Sequence, residues 1–124
     1  MVSINHLALV LLKQGNYQRA EPLLTNVVEA QRQLLGEANP DTLESMDNLS
    51  ELYFAQGKYA LAERLCTKVL EARRRALGEE HRETLGSMNN LAQVRLYQGK
   101  YVEAEPLLTK ALEIKRRVLV VDDK

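Results

Sequence analysis

A single cysteine, Cys66, occurs in the 124 residues. No internal disulfide can form, and a lone thiol fits a reducing, cytoplasmic compartment better than an oxidising one. Net charge is missing as well, since Lys plus Arg and Asp plus Glu stand at 17 each. That balance disfavours nucleic acid as a partner, because phosphate binding needs a basic excess or a basic face. Long apolar runs are absent too. LALVLL (Leu7 to Leu12) is far too short to span a bilayer, no basic segment precedes it, and no small-residue cleavage site follows. Neither a membrane partner nor a leader is expected. Aromatic residues make up only 5%, and no stretch alternates polar and apolar residues as a strand would. With 45% apolar and 27% charged residues the composition is that of a folded chain, and the fold it points to is all-α.

Sites of chemistry are equally scarce. The sequence has no phosphate-cradling glycine loop, no dinucleotide fingerprint, and no serine or cysteine nucleophile placed near a base by any motif. His6 and His81 are the only histidines and fall at unlike positions of the pattern described next, so a shared metal site is not expected. The expectation is a protein that is no enzyme and uses neither metal nor cofactor.

One phrase is written three times. QGNYQRAE (Gln14 to Glu21), QGKYALAE (Gln56 to Glu63) and QGKYVEAE (Gln98 to Glu105) lie 42 positions apart. Between Leu43–Leu77 and Leu85–Leu119, 19 of 35 aligned positions are identical. A period of this size marks an array whose units cannot bury their apolar faces alone. Within a unit, Met46, Leu49, Ser50 and Tyr53 recur with helical spacing in a first helix (A). Tyr59, Ala62, Leu65, Cys66, Val69, Leu70, Ala72 and Leu77 do so in a second (B). The repeated phrase is the corner between them. Gly15, Gly57 and Gly99 close helix A in the left-handed conformation, and Tyr17, Tyr59 and Tyr101 open helix B. Ala20, Ala62 and Ala104 let the two helices approach closely.

The units are expected at residues 1–42, 43–84 and 85–124. In the first link, LGEANPDTLE (Leu35 to Glu44), Gly36 stops a helix, Pro40 reads as a breaker, and Asp41 as an N-cap with Glu44 completing a capping box. The second link, LGEEHRETLG (Leu77 to Gly86), puts Arg82 and Glu83 in those places and is expected to be less firmly capped. Pro22 and Pro106 lie in the first turns of their B helices, where a slight bend and no break is expected. Arg95 replaces Tyr53 and is expected to snorkel from the A–B packing surface toward solvent. The basic runs Arg73–Arg74–Arg75 and Lys115–Arg116–Arg117 end B helices. They read as solvated cations facing the helix macrodipole, with Glu71 and Glu113 four residues ahead of Arg75 and Arg117.

The Gly–x–Tyr corner and the small residues of helix B resemble the tetratricopeptide repeat, whose ordinary period is about 34 residues. The 42-residue period, the LG-x-x-(H/N) links and the NNLA of Asn89 to Ala92 look like the kinesin light chain subtype. The resemblance covers nearly the whole chain. It implies a right-handed α-solenoid of three hairpins, six helices in all, whose A helices line a concave groove for extended peptides. On the A helices, opposite the core stripe, the candidate groove residues are Asn5, His6 and Leu9, then Glu44, Asp47, Asn48, Glu51 and Phe54, then Asn89, Asn90, Gln93 and Tyr97. Asparagine amides suit a peptide backbone because each offers a donor and an acceptor. The acidic middle departs from the kinesin light chain preference for tryptophan flanked by acidic residues and favours a ligand carrying lysine or arginine. The partner is thus expected to be a peptide segment or a protein. The alternative is a self-assembling module, or part of a longer array, that stacks through open ends. Leu112, Leu119 and Val121 are expected to face the surface that a fourth helix pair would cover.

Overall fold

The computed structural model describes residues 2–122, with side chains for residues 4–118. Six α-helices run through them: α1 (Val2–Lys13), α2 (Tyr17–Leu35), α3 (Pro40–Ala55), α4 (Tyr59–Leu77), α5 (Arg82–Tyr97) and α6 (Tyr101–Asp122). No strand occurs among the described residues. The chain forms two compact units, Met1–Leu65 and Cys66–Lys124, whose boundary falls inside α4. In the first unit α2 packs on both α1 and α3, and α1 touches α3. In the second, α5 packs on α6.

The corners form as the repeated phrase predicts. At the end of α3 the N–H of Gly57 donates to the Phe54 carbonyl (3.0 Å) and that of Lys58 to the Tyr53 carbonyl (2.8 Å). This pair of bonds satisfies carbonyls that the helix end would leave orphaned, and it requires a left-handed residue between them. Gly57 supplies it, at φ 78°. Gly15 and Gly99 repeat both the bonds and the angle. The tyrosines then start α2, α4 and α6, and Ala20, Ala62 and Ala104 are fully buried where each B helix crosses its A helix. Pro22 and Pro106 sit inside α2 and α6 without breaking them.

The links differ from expectation. Asp41 is not the cap of α3. The cap is Asn39, whose side chain accepts from the Asp41 N–H at 2.9 Å, and Pro40 opens the helix instead of breaking the chain. Proline suits the first helical position because its missing N–H would find no intrahelical partner there. Nor is the second link poorly capped. His81 stands 42 residues after Asn39, and its Nδ1 accepts from the Glu83 N–H at 3.1 Å. Val120 takes the place at which Gly36 and Gly78 end α2 and α4, and α6 runs on to Asp122.

The core of the first unit holds Leu11, Leu12, Leu24, Val27, Val28, Met46, Leu49 and Leu52; that of the second holds Cys66, Val69, Leu70, Met88, Leu91, Val94 and Ile114. Leu77, counted in the B-helix stripe, is exposed at the helix end. Arg95 is half-buried and does more than snorkel: its Nη1 donates to the Glu103 carbonyl in the first turn of α6 at 3.5 Å. Leu112 is exposed, whereas the side chains of Leu119 and Val121 lie outside the described residues. Glu79, in the link before α5, holds both Arg74 and, at 2.7 Å, the Lys110 ammonium of α6. The hydrogen bond from Lys110 is the main cause that keeps its carboxyl below the usual range. The Arg74 charge adds to it and burial opposes it.

Two predictions follow from these contacts. An added Cβ at Gly57 meets nothing within 4 Å, so Gly57→Val isolates the torsional cost. It is expected to destabilise by roughly 1–2 kcal/mol or more in urea unfolding. Lys58→Ala loses a half-exposed ion pair to Glu21 and a ring contact with Tyr53; it is expected to cost under about 1 kcal/mol. Equal losses would contradict the corner. For Glu79 the folded-state pKa is depressed, so its contribution is present above the unfolded-state value and disappears as pH falls through the folded one. Glu79→Gln is therefore expected to flatten the acid limb of a stability-versus-pH curve and to leave its shape above neutrality unchanged.

Candidate functional site

The twelve candidate groove residues do not share one environment. In the first unit, Glu44 and Glu51 are exposed on α3, with Asp47 and Asn48 half-buried between them. On α1, His6 is exposed and Leu9 half-buried. Phe54 is half-buried, and its ring meets Tyr59 edge-on at 5.4 Å at the α3–α4 corner. Leu12, at the same repeat position, is buried. In the second unit Asn90, Gln93 and Tyr97 are exposed along α5. Asn89 is exposed too, but lines a groove of about 890 Å³ between α5 and α6.

Asn5 has a structural use that its place on the polar face concealed. Its Nδ2 donates to Ser45 Oγ at 2.9 Å, and Ser45 in turn donates to Gln31 Oε1. Gln31 and Ser45 are buried, so this relay pins α1, α3 and α2 together where a lost bond is not replaced by water. Forty-two residues on, Arg73 Nη1 donates to Ser87 Oγ at 2.8 Å, with Nη2 4.0 Å from Glu83. Arg73 is only 8% exposed, so it is no member of a solvated basic run. The signal was present in the sequence. Gln31 and Arg73 interrupt the apolar stripe of helix B at one repeat position, and Ser45 and Ser87 are small and polar beside buried methionines.

Other polar groups brace the first unit away from this face. Glu21 accepts from Gln56 Nε2 (3.2 Å) and pairs with Lys58 (3.6 Å). Tyr53 lies close by, and burial, reinforced by the Glu21 charge, pushes its phenol up against a lowering hydrogen bond from Thr25. Among the described residues no cluster of histidine, cysteine and carboxylate side chains is fit to hold a metal ion, and no helix is long and apolar enough to cross a membrane. The geometry offers amides, carboxylates and partly exposed apolar groups on A-helix faces, which is equipment for binding.

The tetratricopeptide repeat model matches residues 1–65 and 48–117. The chain belongs to the tetratricopeptide repeat family. Two solved structures of a Podosopora anserina kinesin light chain with nearly identical TPR-like repeats, one of them a single-residue variant, superpose with TM-scores of 0.86 and 0.87 at 30% identity. Each match covers 94% of this chain and 55% of the other. BtubC from P. vanneervenii shares the fold, with a TM-score of 0.85 at 21% identity over 93% of this chain and 46% of its own. No curated protein matches. The chain is thus a kinesin light chain-like tetratricopeptide array, an all-α solenoid of helical hairpins, spanning about half the length of the structures it matches. Tetratricopeptide folds mediate protein–protein interaction and are typically scaffolds without enzymatic activity.

The buried relay yields a prediction for the tetratricopeptide core. Ser45→Ala leaves Asn5 and Gln31 without their shared partner and is expected to cost about 1–3 kcal/mol in chemical denaturation. Adding Gln31→Leu is expected to recover part of that loss, because the buried Gln31 amide oxygen that Ser45 had satisfied is then gone. A double-mutant cycle showing strict additivity would contradict the relay.

Proposed function

We propose that the array is a cytoplasmic scaffold that holds an extended segment of a partner protein along the polar faces of its A helices. The observation that carries the reading is the face of α3, where the carboxylates of Glu44, Asp47 and Glu51 flank the amide of Asn48, all outside the buried stripe of Met46, Leu49 and Leu52. An amide can both donate to and accept from a peptide backbone whatever its sequence, while carboxylates select a cationic side chain. His6 and Leu9 extend the face onto α1, which touches α3. Asn90 and Gln93 hold on α5 the sequence positions of Asn48 and Glu51, with Tyr97 one turn further. The ligand is an extended peptide carrying lysine or arginine opposite α3. Asn5 and Phe54, engaged by Ser45 and Tyr59, shape this face and are not its contact groups.

Peptides from an array screen, followed by calorimetry on substituted proteins, test the reading. Asn48→Ala and Asn90→Ala are each expected to weaken binding by roughly 1 kcal/mol, about fivefold in Kd, with little change in melting temperature. Glu51→Lys is expected to weaken a basic peptide further and to make what binding remains less sensitive to salt. Full affinity in the Asn48/Asn90 double variant would mean that these faces only meet solvent.

A further inference from the structure

Gly86 is the one glycine of this chain that no turn requires. Gly15, Gly36, Gly57, Gly78 and Gly99 take φ between 78° and 92°, which accounts for them. Gly86 instead lies in the second turn of α5 with ordinary helical backbone. Glycine is the poorest helix former after proline, because ordering it costs the most backbone entropy. Nor does it make room within the chain, since an added Cβ meets nothing within 4 Å. The helix therefore gives up stability at Gly86 for no contact that the chain itself makes. A glycine so placed suits one use in particular: it lets another main chain come close to the helix surface.

The surroundings indicate what kind of chain comes. Gly86, Asn90, Gln93 and Tyr97 follow one another at spacings of four, three and four, so they form one exposed line along α5. The same line on α3 is Glu44, Asn48, Glu51 and Ala55. From α3 to α5 both carboxylates are lost, one to the bare glycine and one to an amide. The asparagine is kept, and a tyrosine, 58% exposed, is gained. Arg82 opens the line one turn before Gly86, and Glu83 is turned to Arg73, 4.0 Å away. Along this line α5 therefore offers no carboxylate to a cationic side chain. Gly86 also borders the α5–α6 groove, but its exposure does not depend on that opening. Glu44, at the same position of a repeat that another follows, is exposed too.

We infer that α5 takes an uncharged stretch of the partner's extended segment, with its main chain closest at Gly86 and an apolar side chain against the Tyr97 ring. The inference rests on the peptide reading of the A-helix faces. It divides that ligand into a basic residue for α3 and an uncharged stretch for α5. Asn90 donates to and accepts from the main chain that Gly86 admits, and Gln93 does the same one turn on. A methyl group at Gly86 holds that main chain off the helix. A charged side chain in the ligand loses water here without gaining a counter-charge.

Fluorescence anisotropy with two pools of short labelled peptides provides the test, each peptide carrying one arginine. In the first pool the other positions draw on alanine, leucine, serine and glutamine. In the second, some of those positions are lysine. Gly86→Ala is expected to raise the urea midpoint of the chain, since alanine is the better helix former, and yet to weaken the first pool several-fold. Gly86→Glu combined with Gln93→Glu copies the α3 line onto α5. It is expected to weaken the first pool further and to strengthen the second. Full affinity in Gly86→Ala, with Asn48→Ala still weakening binding, overturns this inference and leaves the α3 reading standing. A loss in Gly86→Ala with none in Asn48→Ala supports the α5 half alone. Full affinity in both variants, or a wild-type chain that binds neither pool, overturns the two together. A lowered urea midpoint in Gly86→Ala also overturns the inference, because the glycine then serves the fold.

Discussion

A single helical hairpin of this sequence cannot cover its own apolar surface. The A helix has one stripe for its own B helix and a second for the B helix before it, and the burial along the chain is the record of which stripes have found cover. Ala8, Leu11 and Leu12 of α1 are buried while Ile4, Leu7 and Val10 are not. On α3 and α5 both sets are buried, apart from the polar-ended or border positions Tyr53, Phe54, Arg95 and Leu96. Stability in such an array comes from neighbours, so local unfolding should be easiest where a neighbour is lacking.

Much of this could be read from residue identities, because the determinants are local. A glycine two residues before a tyrosine, recurring every 42 positions, specifies a left-handed helix end whatever lies around it. The alanines that follow report the close helix crossing just as directly. Helix caps were less legible. Asn39, Asp41 and Glu44 all carry groups that cap helices, and the choice rests on where the backbone turns extended, which happens one residue before proline. His81 escaped notice because imidazole is a less familiar cap than asparagine, although the repeat alignment places the two together.

The buried polar positions were the hardest to see. A side chain four residues from a helix end and flanked by other arginines reads as a solvated cation, and only the packing of α5 against the end of α4 shows Arg73 meeting Ser87. The same holds for Asn5, whose neighbours on the polar face are open to solvent while its own amide is committed to Ser45. Helical periodicity assigns a residue to a face, but a residue on the edge between two faces is settled by what the next helix brings. Some candidate residues, Asn5 among them, therefore serve to build the array, and tertiary contacts more than sequence decided which.

The serine of the relay carries a consequence for how such arrays lengthen. A hydroxyl rotates freely between donating and accepting, so Ser45 gives a proton to an amide oxygen while Ser87 receives one from a guanidinium. The socket thus tolerates glutamine or arginine from the preceding helix without redesign of the receiving one. A duplicated or transplanted unit meets an interface it can satisfy in either electrical state. Whole units can then be copied, lost or exchanged in blocks of one period, while insertion of even a single residue between a donor and its socket, 14 positions apart in both pairs, would put that pair out of step.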